Sequence, residues 1–150
     1  MYHAFVRRKL TQTLEGLGKD NFKESLNGMD PQLEHYFAGA HALGGTRHST
    51  AAVQRWFERV FRLLPDLKFK VKRIAVSGFL WNTTATAEWR STATSATGEL
   101  YVNDGVHIVR LRLGKIVSMN VYLDTKVLAD VCLVMAEKGI EEAAAVPIED

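Results

Sequence analysis

Two stretches of the chain repeat apolar residues at the spacing of an amphipathic helix. The first places four aliphatic residues on one face: Val6, Leu10, Leu14 and Leu17. In the second, Ser49 is a good N-cap, and apolar residues then recur at helical spacing: Val53, Trp56, Phe57, Val60 and Leu64. Pro65 ends this helix, because the residue before a proline disfavours the helical conformation. The pattern therefore predicts helices in the first half of the chain.

Beyond Pro65 the apolar residues alternate with polar ones, which is the period of a β-strand. Strand patterns continue to Asp124, with a tight turn at Gly114-Lys115, and a last amphipathic helix follows. A strongly twisted sheet of this kind curls around the helices laid on its concave face. The sequence thus predicts an α+β fold: a cone-shaped α+β barrel in which a strongly curved, mostly antiparallel sheet wraps around N-terminal helices. We expect an interior cavity and a C-terminal helix.

The whole chain, 1–150, is predicted to be a single domain. Its core covers about 5–138, and the Ala- and Glu-rich tail, 141–150, is expected to be loosely held. With 150 residues, 47% of them hydrophobic, the chain can bury a core without disulfides or metals. Its only cysteine, Cys132, excludes an internal disulfide and a multi-cysteine zinc site.

Charge and motifs narrow the range of partners. A formal net charge of +2 gives no large field for nucleic acid or for an anionic membrane. The N-terminus lacks the apolar core of a signal peptide, so we expect a cytoplasmic location. The histidines show no metal-ligand spacing, and no glycine-rich nucleotide motif is present, so neither a metal nor a cofactor is predicted.

Four segments together carry a family resemblance. They are Leu43-Gly-Gly-Thr-Arg-His, Leu64-Pro65, Gly105-Val-His-Ile-Val-Arg, and Gly114-Lys-Ile-Val with Tyr122-Leu-Asp-Thr. In order and spacing the chain resembles, over about 5–138, the SnoaL-like branch of the nuclear transport factor two-like superfamily, which includes polyketide cyclases and ketosteroid isomerases. The resemblance implies a homodimer with a deep apolar pocket and no cofactor. It also implies a catalytic acid at Asp124, where the last strand ends.

Asp124 has two interpretations. Alternation puts it on one face of the last strand with Ser118, Asn120 and Tyr122, and we expect this polar face to line the cavity. A carboxylate in an apolar pocket has a raised pKa and suits a general base. Alternatively, Asp124 is only the N-cap of the helix that follows. Both functions are compatible if one carboxylate oxygen stays free.

Two side chains are candidate hydrogen-bond donors to a substrate oxygen, His107 and Tyr122. His107 shares its strand face with Val109 and Leu111, so a buried structural histidine is the alternative. Tyr101 and Asn103 share this face only if no β-bulge interrupts the strand at Gly105.

Other residues are predicted to line the pocket. Trp81 and Trp89, eight residues apart, face the same side if one unbroken strand carries both, and would then form a flat apolar wall. The remaining predicted pocket residues are Tyr36, His41, Trp56, Tyr101, Asn103 and Asn120. Arg47 and His48 precede a helix N-terminus and are candidates to hold a carboxylate.

Two classes of function remain open. The chain is either a cofactor-free isomerase, cyclase or dehydratase that abstracts a proton next to a carbonyl, or a non-catalytic module that binds a small ligand or dimerises. In both cases we expect a small apolar or aromatic carbonyl-type ligand. Val106 and Ile108 face away from His107, so a homodimer through the outer face of the sheet is also expected.

Overall fold

Six strands and four α-helices make up the chain, and a computed structural model describes all residues from 1 to 150. The helices are α1 (Tyr2–Gly16), α2 (Phe22–Leu26), α3 (Thr50–Leu63) and α4 (Thr125–Glu137). The strands are β1 (Met29–Phe37), β2 (Gly45–Arg47), β3 (Lys68–Phe79), β4 (Asn82–Thr94), β5 (Leu100–Arg112) and β6 (Lys115–Leu123). A single 3₁₀ turn follows α4 at Glu141–Ala144. None of the helices is long and apolar enough to cross a membrane.

The strands form one curved sheet in the order β2-β1-β6-β5-β4-β3. Neighbouring strands are antiparallel except β1 and β6, which run parallel. The predicted α+β class and mostly antiparallel sheet are confirmed. Because β2 and β3 are free edges, the cone is an open sheet and not a closed barrel.

Helix α3 packs its apolar face against the concave side of the sheet. It begins where predicted, because the Ser49 hydroxyl oxygen accepts a hydrogen bond of 3.1 Å from the Ala52 amide. Trp56 and Phe57 are buried, and Phe57 stacks on Phe22 of α2 with ring centroids 5.5 Å apart. The core therefore lies between α3 and the inner face of the sheet.

The inner face of β6 is the apolar one, which reverses the sequence prediction. Met119 and Val121 are buried, whereas Tyr122 is 40% exposed on the opposite face. A register shift between Arg110 and Leu111 of β5 further disturbs the alternation near the hairpin. The physical reason is burial, because placing the apolar side chains of β6 against α3 stabilises the fold more than placing its polar side chains there would.

Strand β5 is regular through Gly105, where the sequence left a bulge open. Trp89 of β4 pairs directly with Gly105, and a Cβ on this glycine would lie 2.5 Å from the Trp89 ring. The glycine therefore makes room for the indole and is not the site of a bulge. Tyr101, Asn103 and His107 consequently share the inner face.

The C-terminal segment is tied to the body of the protein, contrary to the loose tail predicted from its composition. The carbonyl oxygen of Ile148 accepts a hydrogen bond of 2.7 Å from the Arg47 guanidinium. The Asp150 carboxylate accepts a hydrogen bond of 2.6 Å from the His48 amide and also bonds the Ser49 hydroxyl. These contacts join residues about a hundred positions apart, which composition alone does not reveal.

Candidate ligand cavity

An apolar cavity of about 90 Å³ lies between the helices and the inner face of the sheet. Of its 26 lining residues, 21 are apolar, and none is Asp, Glu, Lys or Arg. An engineered apolar cavity of about 150 Å³ holds benzene. The closed part of this cavity therefore suits a group of about one ring or smaller.

A larger cleft of about 860 Å³ adjoins the cavity on the side of α1. The two spaces share lining residues at α1 and the residue after it, on α2 and on the sheet: Leu10, Thr13, Leu17, Ser25, Val109 and Ile116. The cleft therefore borders the cavity on this side of the protein.

His107 presents a hydrogen-bond donor at the cavity wall. Its Nδ1 accepts a hydrogen bond of 2.7 Å from Trp89 Nε1. Since an indole only donates, Nδ1 carries no proton and the proton of the neutral ring sits on Nε2. Burial lowers the His107 pKa to about 4, so the imidazole is neutral near pH 7. No protein group accepts from Nε2.

His35 is a second histidine at this wall, on the inner face of β1. Its Nδ1 accepts a hydrogen bond of 2.9 Å from Arg47 Nε, which again places the proton on Nε2. His35 is 1% exposed, and its Nε2 has no hydrogen-bond partner. Burial, then the charge of Arg47, and then the proximity of His107 hold the His35 pKa well below its usual value.

Tyr101 adds a hydroxyl group at the cavity wall, and this hydroxyl already has a hydrogen-bond partner in the protein. Its hydroxyl accepts a hydrogen bond of 3.0 Å from the Asn103 side chain, and burial raises the Tyr101 pKa to about 12. The same Asn103 amide group donates to the Asp124 carbonyl, and its oxygen accepts from the Asp124 amide at 3.1 Å. Asn103 thus links Tyr101 to the start of α4 without lining the cavity.

Asp124 caps α4 and is exposed. Its Oδ1 accepts from the Lys126 and Val127 amides at 3.1 and 3.3 Å, while Oδ2 makes no hydrogen bond. Asp124 and Tyr122 are not among the residues that line the cavity, because the strand face that carries them points outward. The structure therefore brings His107 to the cavity but not the other two predicted catalytic residues.

Some of the predicted pocket residues line the cavity, and others lie outside it. Trp56, Trp89 and Tyr101 line the cavity. Trp81 does not: it lies in the turn between β3 and β4, outside any unbroken strand, and is 68% exposed.

Three other predicted pocket residues also lie away from the cavity. Tyr36 packs on Tyr122 at the outer face of the sheet, with ring centroids 5.8 Å apart. Asn120 donates to the Tyr122 hydroxyl on that same face. His41 bonds the carbonyl of Ala38 at 3.0 Å in the loop after β1.

The carboxylate expected near Arg47 and His48 belongs to the chain itself. Asp150 occupies the N-terminal end of α3, where it accepts from the His48 amide. Arg47 points inward instead and is fully buried.

Sequence reasoning assigned no site function to His35, the second donor in the cavity. The available signal was the alternation of Leu33, His35 and Phe37, which places a histidine between two large apolar residues on one strand face. The partner that fixes its proton, Arg47, follows twelve residues later across the β1–β2 pair. Only the antiparallel pairing of these two strands brings them together.

No three His, Cys, Asp or Glu side chains converge in an arrangement that could hold a metal ion. The two neutral imidazoles that line the cavity, His35 and His107, offer hydrogen-bond donation inside an apolar enclosure.

An open, curved sheet wrapped around helices, with an apolar cavity inside, defines the nuclear transport factor two-like class of α+β proteins. Within that class, the SnoaL-like domain model matches residues 10–119, and the chain belongs to the SnoaL-like family. The comparison with curated proteins finds no match.

Solved structures share the fold at low sequence identity. An NTF2-like protein of unknown function from Burkholderia pseudomallei is 16% identical, with a TM-score of 0.73 over 83% of this chain and 94% of that one. TerC, co-crystallised with polyporic acid, is 19% identical, with a TM-score of 0.66 over 81% and 93%. A putative SnoaL-like polyketide cyclase from Jannaschia is 16% identical, with a TM-score of 0.61 over 89% of each chain.

Proposed function

We propose that this protein binds a small, mostly apolar ligand whose oxygen accepts a hydrogen bond from His107 in the cavity. The observation that carries the proposal is the Nε2–H of His107, a donor without a protein partner at the wall of an apolar cavity. A polar group left unpaired in such surroundings is costly, and a ligand oxygen offsets that cost.

Size and polarity narrow the ligand class. The closed cavity suits about one ring, and its lining is almost wholly apolar. An aromatic ketone has both properties: a ring for the apolar surface and a carbonyl oxygen for His107. TerC, which shares this fold, was co-crystallised with polyporic acid.

Proton transfer next to the ligand carbonyl is a second proposal. A neutral imidazole that donates to a carbonyl also stabilises the enolate formed when a neighbouring proton leaves, and this favours isomerase or cyclase chemistry. No carboxylate lines the cavity, so a carboxylate base would have to act from outside its lining. Asp124, with one free oxygen at the end of β6, stays the predicted base.

Calorimetric titration with acetophenone and ethylbenzene tests the binding proposal. The two compounds have similar shape, but only acetophenone offers an oxygen. One hydrogen bond contributes about 0.5–1.5 kcal/mol, so we expect a preference for acetophenone approaching tenfold in the wild type. His107→Phe should remove that preference while ethylbenzene still binds.

His48→Gln is the matched control, because His48 is an exposed histidine outside the cavity. It should leave the preference for acetophenone unchanged. If neither compound binds the wild type, or if His107→Phe keeps the full preference, the proposal is wrong.

A further inference from the structure

His35 and Arg47 form a buried pair whose donor is unused. Arg47 Nε donates to His35 Nδ1 at 2.9 Å, and the opposite nitrogen, Nε2, is buried without a partner. The Arg47 and His35 residues are 0% and 1% exposed. The pair therefore ends in one buried N–H group, on a residue that contributes to the cavity wall.

Arg47 brings a positive charge to this pair without a bonded carboxylate. Its other hydrogen bonds go to the backbone carbonyls of Gly44, Gly45 and Ile148, at 3.0, 2.9 and 2.7 Å. Its guanidinium also lies 5.4 Å from the Trp56 ring centroid. The charge is thus held in place by neutral groups, and its field is weakly screened in the apolar interior.

The acidic residues nearest to Arg47 have other partners. Glu149 accepts from the Thr46 amide, and Asp150 accepts from the His48 amide. They act on Arg47 through space, as does the like charge of Arg59. On the side of the cavity, the titratable group near His35 is His107.

We propose that the ligand binds as an oxyanion, an ionised phenol, enol or carboxylic acid, whose charged oxygen accepts from His35 Nε2. This deepens the proposed function and rests on it, because it names the class of ligand for the same cavity. Hydrogen bonds to a charged acceptor are about twice as strong as neutral ones. An anion also interacts favourably with Arg47, which acts through His35 as a positioning residue.

The connections of Arg47 to the backbone explain how β2 and the C-terminal segment are held together. They do not explain why the pair keeps a buried donor without a partner beside an apolar cavity. A buried N–H without a partner is destabilising, and a ligand oxyanion supplies the missing acceptor.

The test compares para-nitrophenol with para-nitroanisole, its methyl ether, which has no ionisable proton. The visible absorbance of nitrophenolate reports the pKa of the bound probe. In the wild type we expect this pKa to fall by about one unit relative to the free probe, since one unit corresponds to about 1.4 kcal/mol. Para-nitroanisole should bind without a spectral change of this kind.

His35 is the residue to change, because Arg47 makes four hydrogen bonds and its replacement risks unfolding. His35→Phe removes the donor and should return the pKa of bound para-nitrophenol to that of the free probe or above. His35→Gln keeps both an acceptor for Arg47 and a donor for the ligand, and should restore part of the shift. If His35 served only to stabilise the fold, His35→Gln would not restore the pKa shift of the bound probe.

The outcomes separate this proposal from the previous one. If both probes bind and the pKa of para-nitrophenol is unchanged or raised, the oxyanion proposal is overturned while the cavity proposal stands. If the shift survives in His35→Phe and disappears in His107→Phe, the oxyanion lies at His107 and the assignment to His35 is wrong. If neither probe binds, the proposed function itself fails.

Discussion

At the residue scale, the account depends on which ring nitrogen carries the proton in two histidines. Trp89 and Arg47 each donate to an Nδ1 atom, and so each leaves the proton on Nε2 of a histidine that lines the cavity. Both imidazole rings must also be neutral, because a charged imidazole in this apolar enclosure would be destabilising. The structure thus makes both histidines donors and neither of them a base.

The lowered pKa of His107 predicts a loss of stability in acid. The unfolded histidine binds its proton near pH 6.5 and the folded one only near pH 4, so the unfolded state takes up the proton first as the pH falls. Between pH 7 and 4.5 this should cost about 2 kcal/mol. We expect denaturant titrations of His107→Gln, which keeps an acceptor for Trp89, to show a smaller loss than the wild type by that amount. Equal losses in both proteins would show that His107 does not titrate as described.

Asp124→Asn tests the residue that the family resemblance singles out. Asparagine caps a helix about as well as aspartate, so we expect the free energy of unfolding to change by about 1 kcal/mol or less. Affinity for acetophenone should not change, because Asp124 does not line the cavity. Deuterium exchange at the methyl group of acetophenone tests the base: a fall of about 10²–10⁴-fold in the variant would assign proton abstraction to Asp124. An unchanged rate would remove it from the catalytic residues.

At the element scale, the sequence predicts α3 and strands β3 to β6 well, because each has a regular apolar period and clear end signals. It does not predict which face of β6 turns inward, since alternation defines two faces but not their environment. The face is decided by α3, which is far away in sequence. The same limit applies to Arg47, whose inward direction depends on the pairing of β1 with β2 and on Ile148.

The contribution of the C-terminal segment to stability can be measured by deleting it. Deleting residues 147–150 removes the Ile148 carbonyl that Arg47 uses and the Asp150 carboxylate at the start of α3. Because these bonds involve charged groups, we expect the free energy of unfolding to fall by about 2–4 kcal/mol in denaturant titrations. Stability equal to that of the full chain would favour the loose tail that the composition suggests.

At the scale of the whole molecule, the outer face of the sheet is unlike an ordinary solvated surface. Val106 and Ile108 are half-buried there, Tyr122 is 40% exposed beside Tyr36, and Asn120 Oδ1 is buried without a partner. An apolar sheet face of this kind commonly forms a two-fold interface. The homodimer predicted from the sequence therefore remains our expectation.

Light scattering at micromolar concentration measures the predicted dimer. The wild type should have twice the mass of one chain, and Ile108→Glu should be monomeric because it places a charge within the proposed interface. Leu133→Glu is the control, since Leu133 is 58% exposed on α4, away from this face. A wild type with the mass of one chain would refute the prediction.

The infrared carbonyl band of bound acetophenone reports whether His107 donates a hydrogen bond to the ligand oxygen. A carbonyl oxygen that accepts a hydrogen bond absorbs at a lower frequency than the same carbonyl in an apolar solvent. We expect a lowered band in the wild type and, in His107→Phe, a band at the frequency found in cyclohexane. A band at the cyclohexane frequency in the wild type would refute ligand recognition by His107, because the ligand oxygen would then have no donor in the cavity.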